Sequence, residues 1–227
     1  MTPANGYRDR TAAGQVLASL LNRHRYAENG LVLALPRGGV PVARPIALAL
    51  SVPMDVFVVR KIGLPDSPET AMGAIATGGV QLLDDTLISE LSLPKRVVDL
   101  MVAKETLELQ RRETLYRSGG SARDLAGKAI VLVDDGVATG YTIRVAILAL
   151  RQLNPASLTV AIPVGAPETC TVLEGLVDEL ICPLRPDPFH AVGLWYDHFP
   201  PVTDEEVRDG IAETVEVAKA RSSESPL

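Results

Sequence analysis

Val131-Leu-Val-Asp-Asp-Gly-Val-Ala-Thr-Gly-Tyr-Thr142 carries an apolar run into two adjacent carboxylates, then into small and hydroxyl residues. A continuous apolar run of this length reads as a strand covered on both faces, the mark of a parallel sheet. A helix is expected to begin at Thr142. In open α/β sheets ligands bind beyond the carboxyl ends of the strands, and a helix N-terminus with free backbone N–H groups binds phosphate. Gly136, Ala138 and Gly140 let the backbone approach a ligand, and Thr139 and Thr142 add hydroxyl donors. Asp134 and Asp135 would repel a phosphate directly. They suit a sugar's hydroxyls, or a magnesium ion that bridges to phosphate. The plainer alternative is a strand–turn–helix whose acids merely cap the helix.

Outward from this segment the same alternation repeats. Apolar runs at 31–35, 56–59 and 158–162 read as further buried strands. Helical stretches are expected at 9–25, 40–50, 94–117 and 142–153. In the first, Ala13, Val16, Leu17, Leu20 and Leu21 share one face. In the third, the stripe Val98, Val102, Leu109, Tyr116 is interrupted by Glu105 and Arg112, so the helix should lie on the surface of the core. Strands alternating with helices argue for an α/β parallel sheet. Residues 72–83 suit a hairpin. After Pro183 the chain is rich in proline and aromatics, and it ends in a helix over 203–218 whose Thr203 and Glu206 have capping-box spacing. One domain spanning 1–227 is expected: a core at 9–182, a C-terminal hood and helix at 183–219, and a frayed tail at 220–227.

The chain has 227 residues, of which 47% are hydrophobic and 22% charged, so disorder is excluded as its main state. Only 4% are aromatic, leaving Ala, Val, Leu and Ile to build the core. The net charge of −6 argues against bulk binding to nucleic acid or to an anionic membrane, although Arg111, Arg112 and Arg117 could form a local basic patch. Cys170 and Cys182 do not make a disulfide framework and read as reduced thiols. Residues 1–10 are polar and do not read as a secretion signal, and no window is apolar enough for a membrane span. A cytoplasmic protein is expected.

Three further segments could carry chemistry. Leu33-Ala-Leu-Pro-Arg-Gly-Gly-Val40 is again a strand end followed by glycines and a helix. Arg37 can pair with a diphosphate, while Gly38 and Gly39 expose backbone N–H groups to it. Val58-Val-Arg-Lys61 would bring two cations to the same carboxyl edge. Pro188-Phe-His-Ala-Val-Gly-Leu-Trp-Tyr-Asp197 could instead be an aromatic mini-core. His24, His190 and His198 lack metal spacing. No P-loop, dinucleotide fingerprint or nucleophile elbow is present.

The segment 131–142 resembles the substrate-binding motif of the type I phosphoribosyltransferases, which use 5-phosphoribosyl 1-diphosphate (PRPP). That motif is four apolar residues, two acids, two usually apolar residues, any residue, Thr, Gly, any residue, Thr. Every position matches except Gly136, which stands where the first apolar loop residue is usual. The resemblance implies a Rossmann-like parallel sheet flanked by helices, with a small hood. It implies transfer of phosphoribose from PRPP to a nitrogenous base with Mg²⁺, releasing pyrophosphate. Carried over, Asp134 and Asp135 take the ribose hydroxyls, and Gly136, Val137, Ala138, Thr139, Gly140 and Thr142 take the 5′-phosphate. Arg37, Gly38 and Gly39 resemble the pyrophosphate loop, which often contains a strained or cis peptide. Lys61, with Arg60 as alternative, would reach the pyrophosphate, so Lys61, Arg37 and Asp135 form the expected catalytic set. The stretch 63–79 occupies the place of the flexible loop that closes over the reacting centre. Phe189 and Trp195 could stack on the base, and Asp197 could join Asp134 and Asp135 near metal. A homodimer is compatible with this reading. The rival readings are a PRPP or nucleotide sensor that has lost transfer, and a nucleotide hydrolase or phosphorylase on the same fold.

Overall fold

The computed structural model describes residues 6–26, 28–117 and 123–224, with backbone only at 23–24 and 217–224. The expected frayed tail is helical as far as residue 224, and 225–227 lie outside the described residues. The side chain of His24 is likewise outside them.

The elements in order are α1 (Arg10–Leu20), β1 (Gly30–Ala34), α2 (Gly39–Leu50), β2 (Met54–Val56), β3 (Val59–Gly63), β4 (Ala71–Ala76), β5 (Val80–Leu83), α3 (Asp85–Glu90), α4 (Lys95–Arg117), β6 (Ala129–Val133), α5 (Tyr141–Gln152), β7 (Ser157–Ala161), α6 (Pro167–Glu174), β8 (Glu179–Ile181) and α7 (Asp204–Glu224). Five strands form a parallel sheet in the order β2-β1-β6-β7-β8. β3, β4 and β5 form a separate antiparallel sheet.

The continuous apolar runs are explained by cover on both faces. Along β1 and β6, Val32, Ala34, Val131 and Val133 enter one core with α1, α2, α4 and α7. Their neighbours Leu31, Leu33, Ile130 and Leu132 enter a second core with α5 and α6. Central strands buried on alternate sides cannot show a polar–apolar alternation. The narrow stripe on α4 buries Val98, Leu109 and Tyr116, as its spacing predicts. The capping box of α7 closes as expected: the Thr203 N–H donates to the Glu206 carboxylate (2.7 Å), and the Glu206 N–H donates to Thr203 Oγ1 (3.2 Å).

Four expectations are corrected. Helix 9–25 stops at Leu20; Leu21 is extended, and a single 3₁₀ turn follows at Arg23–Tyr26, where the apolar spacing has run out. The apolar run 56–59 is not one strand. β2 ends at Val56 in the parallel sheet, and Val59 opens β3 in the other sheet, so Arg60 and Lys61 lie within an antiparallel strand and not at the end of a parallel one. An apolar run carries no mark of where the chain changes sheets. The stretch 63–79 is not one continuous loop: β4 (Ala71–Ala76) divides it into a loop at 64–70 and a tight turn at 77–79. Finally, the chain after Pro183 divides: within 192–203, Tyr196 bonds the Asp135 carbonyl and the Pro200 carbonyl accepts from Arg10, whereas α7 packs against α2, α4 and the edge strand β2. Among the described residues, no helix is long and apolar enough to cross a membrane.

Candidate functional site

β6 delivers Asp134 and Asp135 at its carboxyl end, and β1, its parallel neighbour, delivers 35–38 beside them. The two loops touch. The Leu35 N–H donates to the Val133 carbonyl (2.9 Å). Gly38 lies so close to the Asp135 carboxylate that any Cβ there would collide with it. The Pro36–Arg37 peptide is cis. Arg37 is half-exposed, 3.8 Å from Asp204. Among the described residues, the N–H groups of Arg37 and Gly38 have no acceptor.

The loop after the acids opens into the N-terminus of α5. Gly140 is its N-cap at φ +73°, a left-handed conformation natural to glycine, and a Cβ there would strike Thr169. No side chain caps the helix. Among the described residues, the N–H groups of Ala138, Thr139, Gly140, Tyr141 and Thr142 have no acceptor. Thr139 and Thr142 are exposed beside them. Free donors at a helix N-terminus form an anion socket. Gly136, the departure from the motif, lies under Val192, where a Cβ would come within 2.6 Å of the valine Cγ1.

The acids are electrostatically unequal. Burial raises Asp134 well above the ordinary carboxylate range, and the neighbouring Asp135 charge adds to this. Burial also raises Asp135, but a hydrogen bond from Arg10 opposes it. The Arg10 Nε donates to Asp135 Oδ2 (2.9 Å), so Asp135 already has a cation. Asp134 Oδ1 accepts the Asp135 N–H (2.9 Å). No contact of Asp134 with a cation lies within ion-pair distance among the described residues. Two adjacent carboxylates are hard oxygen donors of the kind magnesium prefers, and Asp134 has an oxygen to spare.

The other expected site residues lie outside these two loops. Lys61 lies in β3, and its Nζ donates to the Glu69 carbonyl (2.9 Å) and carboxylate (3.1 Å). Arg60, the alternative to Lys61, pairs with Glu105 of α4 (2.7 Å). Phe189 and Trp195 are half-buried in a small cluster with Tyr7, Val164, Tyr196 and Phe199. Asp197 is exposed, its N–H bonded to the Tyr7 carbonyl (2.9 Å), and its carboxylate has no partner among the described residues. His190 and His198 are exposed, and no cluster of three metal-ligating side chains occurs among the described residues. The arginine patch is not free: Arg111 and Arg112 pair with Glu108, and Arg117 pairs with Asp55 and Glu113.

Arg10 and Tyr196 escaped the sequence reading. Tyr196 donates from its hydroxyl to the Asp135 carbonyl (2.6 Å), and burial pushes that hydroxyl's pKa up. Arg10 belongs to no motif, Tyr196 was singled out only as part of the aromatic segment 188–197, and each lies more than 60 positions from Asp135. Only a helix-starting arginine in an otherwise apolar face hinted at the first.

The sequence matches the family described as phosphoribosyl transferase domain over residues 8–194. A Mycobacterium tuberculosis H37Rv protein that carries a provisional phosphoribosyl transferase name is 40% identical over 199 residues, covering 88% of this chain and 45% of its own. The chain therefore spans about half the length of the curated relatives it matches. The bifunctional protein PyrR of Actinobacillus pleuropneumoniae is 31% identical over 70 residues, 31% of this chain and 39% of its own. Among solved structures, the protein TT1426 from Thermus thermophilus superposes with a TM-score of 0.79 at 36% identity, covering 92% of this chain and 98% of that one.

Proposed function

Because the chain belongs to the phosphoribosyl transferase family, we propose that it moves phosphoribose from PRPP to a ring nitrogen of a base, releasing pyrophosphate with the help of Mg²⁺. The observation that carries this reading is one edge of the sheet: an acid pair, an uncapped helix N-terminus and a glycine loop pressed against Asp135. In this reading the free N–H groups of 138–142 hold the 5′-phosphate. Asp134 and Asp135 accept from the ribose hydroxyls. Arg37, with the N–H groups of Arg37 and Gly38, holds the pyrophosphate. Mg²⁺ would be held by Asp134 and would supply charge neutralisation on the diphosphate. Asp135, already paired with Arg10, is the poorer metal ligand, and Asp197, exposed beside the Tyr7 carbonyl, is the third expected one. Such a transfer asks for positioning and charge neutralisation rather than covalent chemistry.

The antiparallel sheet β3–β5, and not the C-terminal segment expected from the sequence, serves as the hood in this reading. Lys61 would leave Glu69 for the departing pyrophosphate as the 64–70 loop closes. Phe189 and Trp195 would turn a ring face to the base. A screen for pyrophosphate release from PRPP and Mg²⁺ against purines, pyrimidines and pyridines tests the proposal. Release dependent on one base supports it, and no release with any base contradicts it. The second reading is a PRPP or nucleotide sensor without transfer. It is favoured by the Lys61–Glu69 contact, which leaves the expected catalytic cation occupied within the chain.

A further inference from the structure

Arg10 is the first residue of α1, and its side chain is only 10% exposed. α1 lies close on α2 because Gly14 has no Cβ to meet the Val42 carbonyl and Pro45. From there the guanidinium makes three contacts. Its Nε donates to Asp135 Oδ2 (2.9 Å), an Nη donates to the Pro200 carbonyl (2.7 Å), and its carbon sits 3.7 Å over the Phe199 ring. Phe199 stacks on Tyr196 at 4.9 Å, and Tyr196 grips the Asp135 carbonyl. The segment carrying these aromatics is fastened to the chain's start. The Tyr7 N–H donates to the Trp195 carbonyl (2.8 Å), and the N–H groups of Asp197 and His198 donate to the carbonyls of Tyr7 and Arg8 (2.9 Å each).

Asp135 is thus held at its side chain and its main chain by residues outside the motif. Its Oδ2 is used by Arg10 and faces Gly38, while no other residue among those described bonds Oδ1. We propose that Arg10 is a positioning residue of the ribose subsite, fixing the Asp135 carboxylate so that Oδ1 alone is presented to a ribose hydroxyl. This rests on the assignment of Asp135 to ribose made above. A guanidinium fits the task because its planar fork serves two acceptors while its face stacks on a ring. An ammonium offers a point charge and cannot reproduce all three contacts.

The test uses two small probes in calorimetry without metal: ribose 5-phosphate, which needs both subsites, and inorganic phosphate, which needs only the α5 socket. Arg10→Met is expected to weaken ribose 5-phosphate about tenfold, the scale of one hydrogen bond to a charged group. Phosphate affinity should stay unchanged. Arg10→Lys should show the same selective loss, but smaller, and it carries the comparison if the methionine variant does not fold. A merely structural role would weaken both probes together. That result, or no change in either, overturns the proposal. Asp135→Asn separates the two levels: if it leaves ribose 5-phosphate binding intact, the ribose assignment itself is wrong. If it weakens that binding while both Arg10 variants do not, only the role of Arg10 falls.

Discussion

At the scale of single residues, the site depends on close approaches that leave little room for change. Gly38 faces the Asp135 carboxylate with no space for a methyl group. Gly38→Ala should therefore push that carboxylate aside while the fold persists. We expect the affinity for PRPP to fall at least about tenfold, measured by calorimetry, with the thermal midpoint little changed. A second residue acts on stability alone. Asp55 is buried at β2 and receives two hydrogen bonds from Arg117, which also donates to the Val56 carbonyl (2.9 Å). Asp55→Ala takes one of two carboxylates from a buried guanidinium that keeps Glu113 (3.1 Å) and the Val56 carbonyl. Loss of a hydrogen-bonded charged partner should cost about 1.5–3 kcal/mol, to be read from urea unfolding. Asp134, Asp135, Arg37 and the loop 136–142 were legible in the sequence because they are contiguous and follow apolar runs. Arg10, Tyr196 and Asp55 were not, because their partners lie far along the chain and a pairing of that kind leaves no local pattern.

At the scale of elements, the parallel strands β1, β6 and β7 were readable from unbroken apolar runs, and α4 from its stripe. β8 and α3 were not: the first is three half-buried residues and the second a six-residue helix with none buried. The cysteines show the same limit. Cys170 on α6 and Cys182 after β8 are both buried and free, with sulfurs 3.6 Å apart, although twelve positions separate them. The 64–70 loop is the element whose behaviour bears on function. It is closed by the Leu64 N–H to the Thr70 carbonyl (2.9 Å) and tethered by Glu69 to Lys61. Glu69 is almost fully exposed, so this tether is weak. If the loop is a lid, limited proteolysis within 64–70 should slow when PRPP and Mg²⁺ are added. Glu69→Ala should speed cleavage without ligand. Equal cleavage with and without saturating PRPP would favour the sensor reading.

For the whole molecule, acid stability follows from carboxylates that hold distant parts of the chain together. Asp178 is held below its ordinary range by hydrogen bonds from Arg151 and by the Leu158 N–H, and Glu213 is held below by Arg44, which ties α7 to α2. Both are partly exposed, so each contribution is modest. A carboxylate depressed on folding stabilises the fold above its unfolded pKa of about 4 and loses that contribution as pH falls through the depressed value. The contribution of these two groups to the thermal midpoint should therefore be constant from about pH 7 to about pH 5 and fall away below about pH 4. Asp178→Asn should make that decline shallower.

In the proposed reading, the carboxyl ends of β1 and β6 hold a phosphorylated ribose carrying a diphosphate. The most direct test of this reading is calorimetric titration of PRPP and Mg²⁺ into the wild-type protein and into the Asp134→Asn/Asp135→Asn variant, with circular dichroism showing that the variant is folded. Hydrogen bonds to charged groups contribute about 1.5–3 kcal/mol each, so binding should weaken by a few kcal/mol in the variant. Unchanged PRPP affinity in the folded variant would contradict the account.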